Sequence, residues 1–231
     1  NKQINAKLEE TAQALYGNWF VDKLNPIWKS YSLGELIEIK GGFSYKGADI
    51  GKGKTYILGM GCISFNQRFL EQGMRLYSDN CPEHHLISSG EIIIATRQQS
   101  ENFPILGFPA MIPEDLVNER LLVASNLYRV ENMSNYSSEF LFQTLRSKPY
   151  KEHIKLNAKG TTVGMITKDA VESYELKLPE EEDVQKFEKL LKPITESISN
   201  NTSSIKRLIK LQSLLLSKMA GSELLQKVTA I

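Results

Sequence analysis

Arginine, glutamine and asparagine crowd into one short stretch, Thr96-Arg97-Gln98-Gln99-Ser100-Glu101-Asn102. A guanidinium pairs bidentately with O6 and N7 of guanine, and a carboxamide does the same with N6 and N7 of adenine. Arg97, Gln98, Gln99, Ser100 and Asn102 are therefore of the types that read base edges. Ser64-Phe65-Asn66-Gln67-Arg68 offers a similar set through Asn66 and Arg68. In Asn157-Ala158-Lys159-Gly160-Thr161-Thr162, one cation stands among amide and hydroxyl donors, a combination suited to phosphate oxygens. Polar loops of this kind are common on protein surfaces, so the side chains nominate nucleic-acid readout without requiring it.

Other chemistries find less support. Gly51-Lys52-Gly53-Lys54-Thr55 resembles the end of a phosphate-binding loop, but the glycine required five residues before Gly53 is replaced by Ala48. A strand-like run, Tyr56-Ile57-Leu58, follows where that motif needs a helix. Cys81, His84 and His85 have no second ligand pair at a finger-like spacing, and His153 is remote. No serine has a nucleophile-elbow context, and the carboxylates show no acid–base spacing. Asn102-Phe103-Pro104 does not fit the Asn/Asp-Pro-Pro-Tyr/Phe loop of an amino-methyltransferase. A non-catalytic chain with no metal or cofactor of its own is expected.

Charge is balanced globally and uneven locally. The 231 residues carry a net charge of +1, with 41% hydrophobic and 24% charged residues, ordinary for a globular chain. Lys40, Lys46, Lys52 and Lys54 face one acid, Asp49; Arg146, Lys148, Lys151, Lys155 and Lys159 face only Glu152. On charge alone these read as solvated lysine-rich faces, and a polyanion site would have to be assembled from patches. No run of 18 apolar residues exists, so no membrane span is expected. Two cysteines, Cys62 and Cys81, make no disulfide framework, which with a polar start to the chain points to the cytoplasm.

The elements that must position these loops are legible from periodicity. From Val184 to Met219 a 3-4 alternation runs through Phe187, Leu191, Ile194, Ile198, Asn201, Ile205, Leu208, Gln212 and Leu215. This is the narrow seam of a coiled coil, about 54 Å long, with Asn201 placed to fix register. Such a rod needs partner helices and suits a spacer and assembly device. Pro193 is expected to kink or restart it. Residues Asn1 to Phe20 predict a helix, with Ile4, Leu8, Ala12, Leu15 and Trp19 on one side and no capping pattern, as if its first turns were missing. Between them, strands are predicted at Leu36–Ile39, Tyr56–Met60, Ile92–Ala95, Ala110–Ile112, Leu121–Val130 and Tyr174–Leu178. Helices are predicted at Ser138–Arg146, Pro149–Leu156 and after Thr167. The expected class is α+β, divided as 1–24 N-terminal helix, 25–180 globular domain, 181–222 coiled-coil helix and 223–231 tail.

The order of motifs then carries a resemblance. Pro26-Ile27-Trp28-Lys29, Leu33-Gly34-Glu35-Leu36, Gly41-Gly42, Ser88-Ser89-Gly90-Glu91-Ile92-Ile93-Ile94-Ala95, Lys159-Gly160-Thr161-Thr162-Val163 and Leu176-Lys177-Leu178-Pro179 follow one another. Together they resemble the target recognition domain of type I restriction–modification specificity subunits. Leu8 to Tyr16 and Trp19 to Asp22 are similar to the end of that family's central helix. Such a subunit has two recognition domains and two spacer helices, so the chain resembles a C-terminal half or a natural half-subunit. Glu180 to Gln185 departs from the Glu-Gln pair usual after the closing proline.

The resemblance implies a specificity subunit that reads one part of a bipartite site on double-stranded DNA. Its helices would dock methyltransferase subunits and a restriction/translocase subunit. S-adenosylmethionine, Mg²⁺ and ATP would be bound in those other subunits only. The implied DNA-facing set adds Lys40, Gly41, Gly42, Ser44 and Lys46 to the loops above. Helix pairing would use Phe187, Leu191, Ile194, Ile198, Asn201, Ile205, Leu208 and Leu215, giving a homodimer or a pair with a second half-subunit. The alternative is a coiled-coil scaffold whose globular domain binds protein and not DNA.

Overall fold

Ile92-Ile93-Ile94-Ala95 and Leu121-Leu122-Val123 are apolar at consecutive positions, which a strand tolerates only where both of its faces are covered. All seven residues are buried. They become central strands of an α+β fold in a computed structural model that describes residues 1–23, 25–98, 105–160 and 163–228, with side chains to 219. In chain order, α1 (Lys2–Phe20) precedes β1 (Lys29–Ser32), β2 (Ile37–Gly41), β3 (Ile50–Leu58), β4 (Arg75–Tyr77) and β5 (Leu86–Ile87). Next come β6 (Ile92–Ala95), β7 (Arg97–Gln98), β8 (Pro109–Met111), β9 (Leu121–Val123) and β10 (Leu127–Asn132). The remainder is α2 (Ser138–Arg146), α3 (Lys148–Asn157), β11 (Gly164–Met165), α4 (Lys168–Glu172), β12 (Glu175–Leu178) and α5 (Glu181–Val228).

By contacts the chain divides into a larger unit, 13–189, and a smaller one, 1–12 with 190–231. In the larger unit, one four-stranded sheet has the order β2-β10-β6-β8 and another β4-β3-β9-β5, with β3 and β9 parallel. Ile93, Ala95, Ala110 and Leu127 of the first sheet and Leu58, Leu121 and Val123 of the second share one core. On the other side of the second sheet, Ile57, Leu122, Ala124 and Tyr77 form a second cluster beneath Phe43 and Tyr45. Each buried leucine, isoleucine or valine among them contributes about 1.5–3 kcal/mol.

Two helices meet at a single serine. Ser147, in extended conformation, ends α2 and caps α3, its Oγ accepting from Tyr150 N–H at 3.4 Å. Ser137 caps α2 in the same way through Phe140 N–H at 3.1 Å, and each such cap is worth about 1 kcal/mol. The run Leu121–Val130, predicted as one strand, is two: the turn closed by Leu127 N–H on Ala124 O sends β9 and β10 into different sheets.

The buried stripe of α1 is Glu9, Ala12, Tyr16 and Phe20, one residue round from the predicted face; Ile4 is 52% exposed. The two rings decide this. In the larger unit Phe20 lies 4.9 Å from Phe187 and 5.3 Å from Phe140, edge to face, and Tyr16 joins the cluster at 5.9 and 6.0 Å. The helix α5 runs through Pro193 without the predicted restart. Proline forfeits one backbone hydrogen bond there, while Leu191 and Ile198, buried on either side, hold the flanking turns. In the smaller unit the seam asparagine has a partner within the chain. Asn201 Nδ2 donates to Asn5 Oδ1 at 2.9 Å, and Asn5 Nδ2 donates to Thr202 Oγ1 at 3.1 Å.

Candidate nucleic-acid interface

Two stretches that chemistry singled out separately lie together. The strands β7 and β11 pair antiparallel, with Arg97 opposite Met165 and Gln98 opposite Gly164. Met165 also exchanges both backbone hydrogen bonds with Lys159, at 2.8 and 2.9 Å. Arg97 and Lys159 thus flank one residue. Ile166 N–H on Thr96 O (3.1 Å) and Thr96 N–H on Asn126 O (3.2 Å) tie this ribbon to the end of β6. The local sequence dictates the turn. Gly160 has φ +93°, and a side chain there would stand 2.3 Å from Val163 O, so the position requires glycine.

The ribbon is a cationic ledge with an apolar lip. Arg97, Lys159 and Gly160 are exposed, as are Val163 and Met165. Among the described residues, neither Arg97 nor Lys159 has a carboxylate within ion-pair range. Gln98 is half-buried and acts locally: its Oε1 accepts from Ile105 N–H at 2.5 Å. Gln99, Ser100, Asn102, Thr161 and Thr162 lie outside the described residues.

Tyr128 of β10 links a third stretch to the ledge. It stands opposite Gly41 of β2, and its hydroxyl donates to Ile166 O at 3.0 Å. Burial pushes that phenol above its ordinary range. No sequence signal distinguished Tyr128, an aromatic within an apolar strand. Gly42 touches the neighbouring strand so closely that a side chain would fall 2.1 Å from Ala124 O, and Gly41 O meets His85 Nδ1 at 3.1 Å. Burial, reinforced by the adjacent His84, holds that imidazole below its usual range. Ser44 and Lys46 are exposed. Lys40 is ion-paired with Glu38 and lies 3.9 Å from Glu131, so its charge is locally balanced.

The fourth stretch behaves differently. Asn66 is exposed on a turn in which its N–H meets Ser64 Oγ at 3.1 Å. Arg68 points inward: its two terminal nitrogens donate to the carboxylate of Glu139 at 2.5 and 2.8 Å. Its guanidinium lies 5.1 Å from the centroid of Phe142. That fork is engaged in packing α2, not presented to a ligand.

The Gly51–Thr55 segment is also explained. Ile50 and Thr55 both pair with Tyr77, so residues 51–54 bulge out of β3. The N–H groups of Lys54 and Thr55 and the Thr55 hydroxyl all donate to Asp79 Oδ1, at 2.8 to 2.9 Å. The anion held by this segment is the protein's own carboxylate. Among the described residues no three His, Cys, Asp or Glu side chains gather as a metal site, and no helix is long and apolar enough to cross a membrane.

Residues 26–210 match the family model described as the type I restriction modification DNA specificity domain. The type I restriction enzyme MjaIX specificity subunit of Methanocaldococcus jannaschii is 24% identical over an alignment of 252 residues, covering 96% of this chain and 54% of the relative. Among solved structures, the HsdS subunit from Thermoanaerobacter tengcongensis superposes with a TM-score of 0.57 at 15% identity, over 87% of this chain and 46% of that one. The type I restriction-modification S subunit from M. genitalium gives 0.53 at 14% identity, over 80% and 44%. The chain spans about half the length of the relatives it matches.

Proposed function

Because the chain belongs to the type I restriction–modification DNA specificity family, we propose that it recognises a DNA sequence through the β7–β11 ledge, reading one half of a bipartite target. The observation that carries this reading is the pairing that sets Arg97 and Lys159 on either side of Met165. One is a base-edge reader by chemistry and the other a hydrogen-bond donor to phosphate oxygens, and both are exposed. Gln99, Ser100, Asn102, Thr161, Thr162, Ser44, Lys46 and Asn66 complete the set on chemistry alone.

The chain itself performs no bond-making step on this reading. Methylation and cleavage belong to methyltransferase and restriction/translocase subunits, which supply S-adenosylmethionine, Mg²⁺ and ATP. Docking runs through α1 and α5. The exposed end of α5, from Leu208 through Leu215 to Met219, is the surface for pairing with a second copy or a second half-subunit.

Replacing Arg97 with alanine is expected to reduce discrimination between sequences by about 1–3 kcal/mol, roughly five- to 150-fold. Lys159→Ala is expected to weaken binding to all sequences alike and to lower the slope of log affinity against log salt by about one. The measurement is the methylation specificity of the assembled complex together with duplex binding across salt concentrations. Unchanged specificity in the first variant and an unchanged slope in the second would remove the assignment.

A further inference from the structure

Two hydrogen bonds hold residues 105–107, just before β8. Gln98 Oε1 accepts from Ile105 N–H. The buried Tyr150 of α3 donates its hydroxyl to Gly107 O at 3.3 Å. Gln98 follows Arg97 in β7, and Lys159 stands across Met165 from Arg97. Charge stands beside Phe108 as well: Lys151 Nζ sits 5.1 Å from its ring centroid, and the Arg146 guanidinium lies 5.8 Å from the same ring and 5.1 Å from Phe142. Phe65, 45% exposed, packs edge to face on Phe108 at 4.9 Å.

Helix geometry aligns this charge. Lys148, Lys151 and Lys155 stand at i, i+3 and i+7, hence on one face of α3, and all three are exposed. Glu152, the only acid in α3, shares that face and lies 3.9 Å from Lys148. Although the Lys151 residue is exposed as a whole, its ammonium lies against the Phe108 ring, and desolvation there, then the charges of Arg146 and Lys155, hold it below its ordinary range. Like charges fixed on a rigid helix repel one another, and a polyanion relieves that repulsion. From Lys148 to Lys155 the axial distance is about 10 Å, the rise of about three nucleotides along one strand of B-form DNA.

We propose that Lys148, Lys151 and Lys155 form a second line of phosphate contacts for duplex DNA, on the helix tied through Tyr150 to Gly107, beside the first line that Arg97 and Lys159 supply on the β7–β11 ribbon. The inference rests on the DNA-recognition reading and extends it. The sequence alone shows a basic stretch that looks merely solvated; the added information is that α3 is tied through Tyr150 to Gly107, two residues from Ile105, whose N–H donates to Gln98 of the ledge.

The test is duplex binding by the full chain, titrated across salt concentrations on two unrelated mixed-sequence duplexes. Replacing all three lysines with glutamine is expected to lower the salt slope by about two to three, at about 0.9 per contact, with equal loss on both duplexes. Glu152→Gln on the same exposed face is expected to tighten binding to both, a gain that misfolding cannot imitate. A native circular dichroism spectrum with an unchanged slope in the triple variant, while Lys159→Ala still lowers it, overturns the inference and leaves the ledge standing. Loss confined to one duplex overturns the phosphate role. Failure of the unaltered chain to bind duplex even at low salt overturns both readings together.

Discussion

Arg68 and Arg97 are the same side chain in similar polar company, and the fold uses them oppositely. Arg97 stands exposed on the ledge, whereas Arg68 is only 17% exposed and bidentate to Glu139. Glu139 Oε1 also accepts from Gln143 Nε2 at 2.8 Å, and Gln143 Oε1 accepts from Gln13 Nε2, so a polar chain runs from the 64–68 turn through α2 to α1. Removing the guanidinium strands a half-covered carboxylate. Arg68→Ala is therefore expected to destabilise the fold by about 2–4 kcal/mol, read as a lower denaturant midpoint at unchanged slope. The affinity ratio between two DNA sequences is expected to stay constant; a changed ratio at unchanged stability would make Arg68 a reader. The distinction was not legible in the sequence, because residue type nominates chemistry while the deciding acid lies 71 positions away. Lys40 repeats the lesson, its charge balanced by Glu38 within its own strand and by Glu131 on the strand paired with it.

Elements were legible where the signal is local. Helix α2 matches its predicted bounds, as does β6, and α3 lies within one residue of its own at each end. The two-residue strands β5, β7 and β11 were not predicted, since nothing so short has a period and their pairing is wholly tertiary. The ledge itself is therefore a product of the fold that no single segment announces. The bulge in β3 is another such product. Asp79 reaches it from 24 and 25 positions away and is held below the usual carboxylate range, first by Lys54 N–H, then by the Thr55 hydroxyl and Thr55 N–H. A depressed folded pKa adds stability that is present above the ordinary carboxylate range. That stability is lost as pH falls through the lower folded value. Asp79→Asn is accordingly expected to lower the melting temperature at neutral pH, with the gap to the unaltered chain closing as the solution is acidified. A gap that stays constant down to the acid limit would show that Asp79 acts by packing and not by charge.

At the scale of the molecule, the 3-4 seam of α5 has two regimes. In the larger unit Phe187 is enclosed by Tyr16, Trp19, Phe20 and Phe140, and in the smaller unit Ile198 is buried while Asn201 is held by Asn5. Leu208, Leu215 and Met219 are 60–62% exposed. The seam alone could not separate these regimes, because the same alternation serves a partner helix in the chain and one outside it. Burying the remainder of each exposed side chain gains on the order of 1–1.5 kcal/mol. Three such residues from each of two copies supply about 6–9 kcal/mol, against an association cost of about 4–15 kcal/mol. The two are of the same order, so pairing through this seam is expected to depend on concentration. Sedimentation equilibrium is expected to show the mass rising from the 26.1 kDa of one chain toward twice that with concentration. Leu208→Lys with Leu215→Lys is expected to hold it at one chain throughout. Both positions are exposed, so the substitutions leave the fold's own stability nearly untouched. Association unaffected by the double variant would place the contact elsewhere. Association abolished while single-copy DNA binding persists would assign the far half of α5 to spacing two reading heads along a duplex, as dimer geometry sets half-site separation in other DNA-binding proteins.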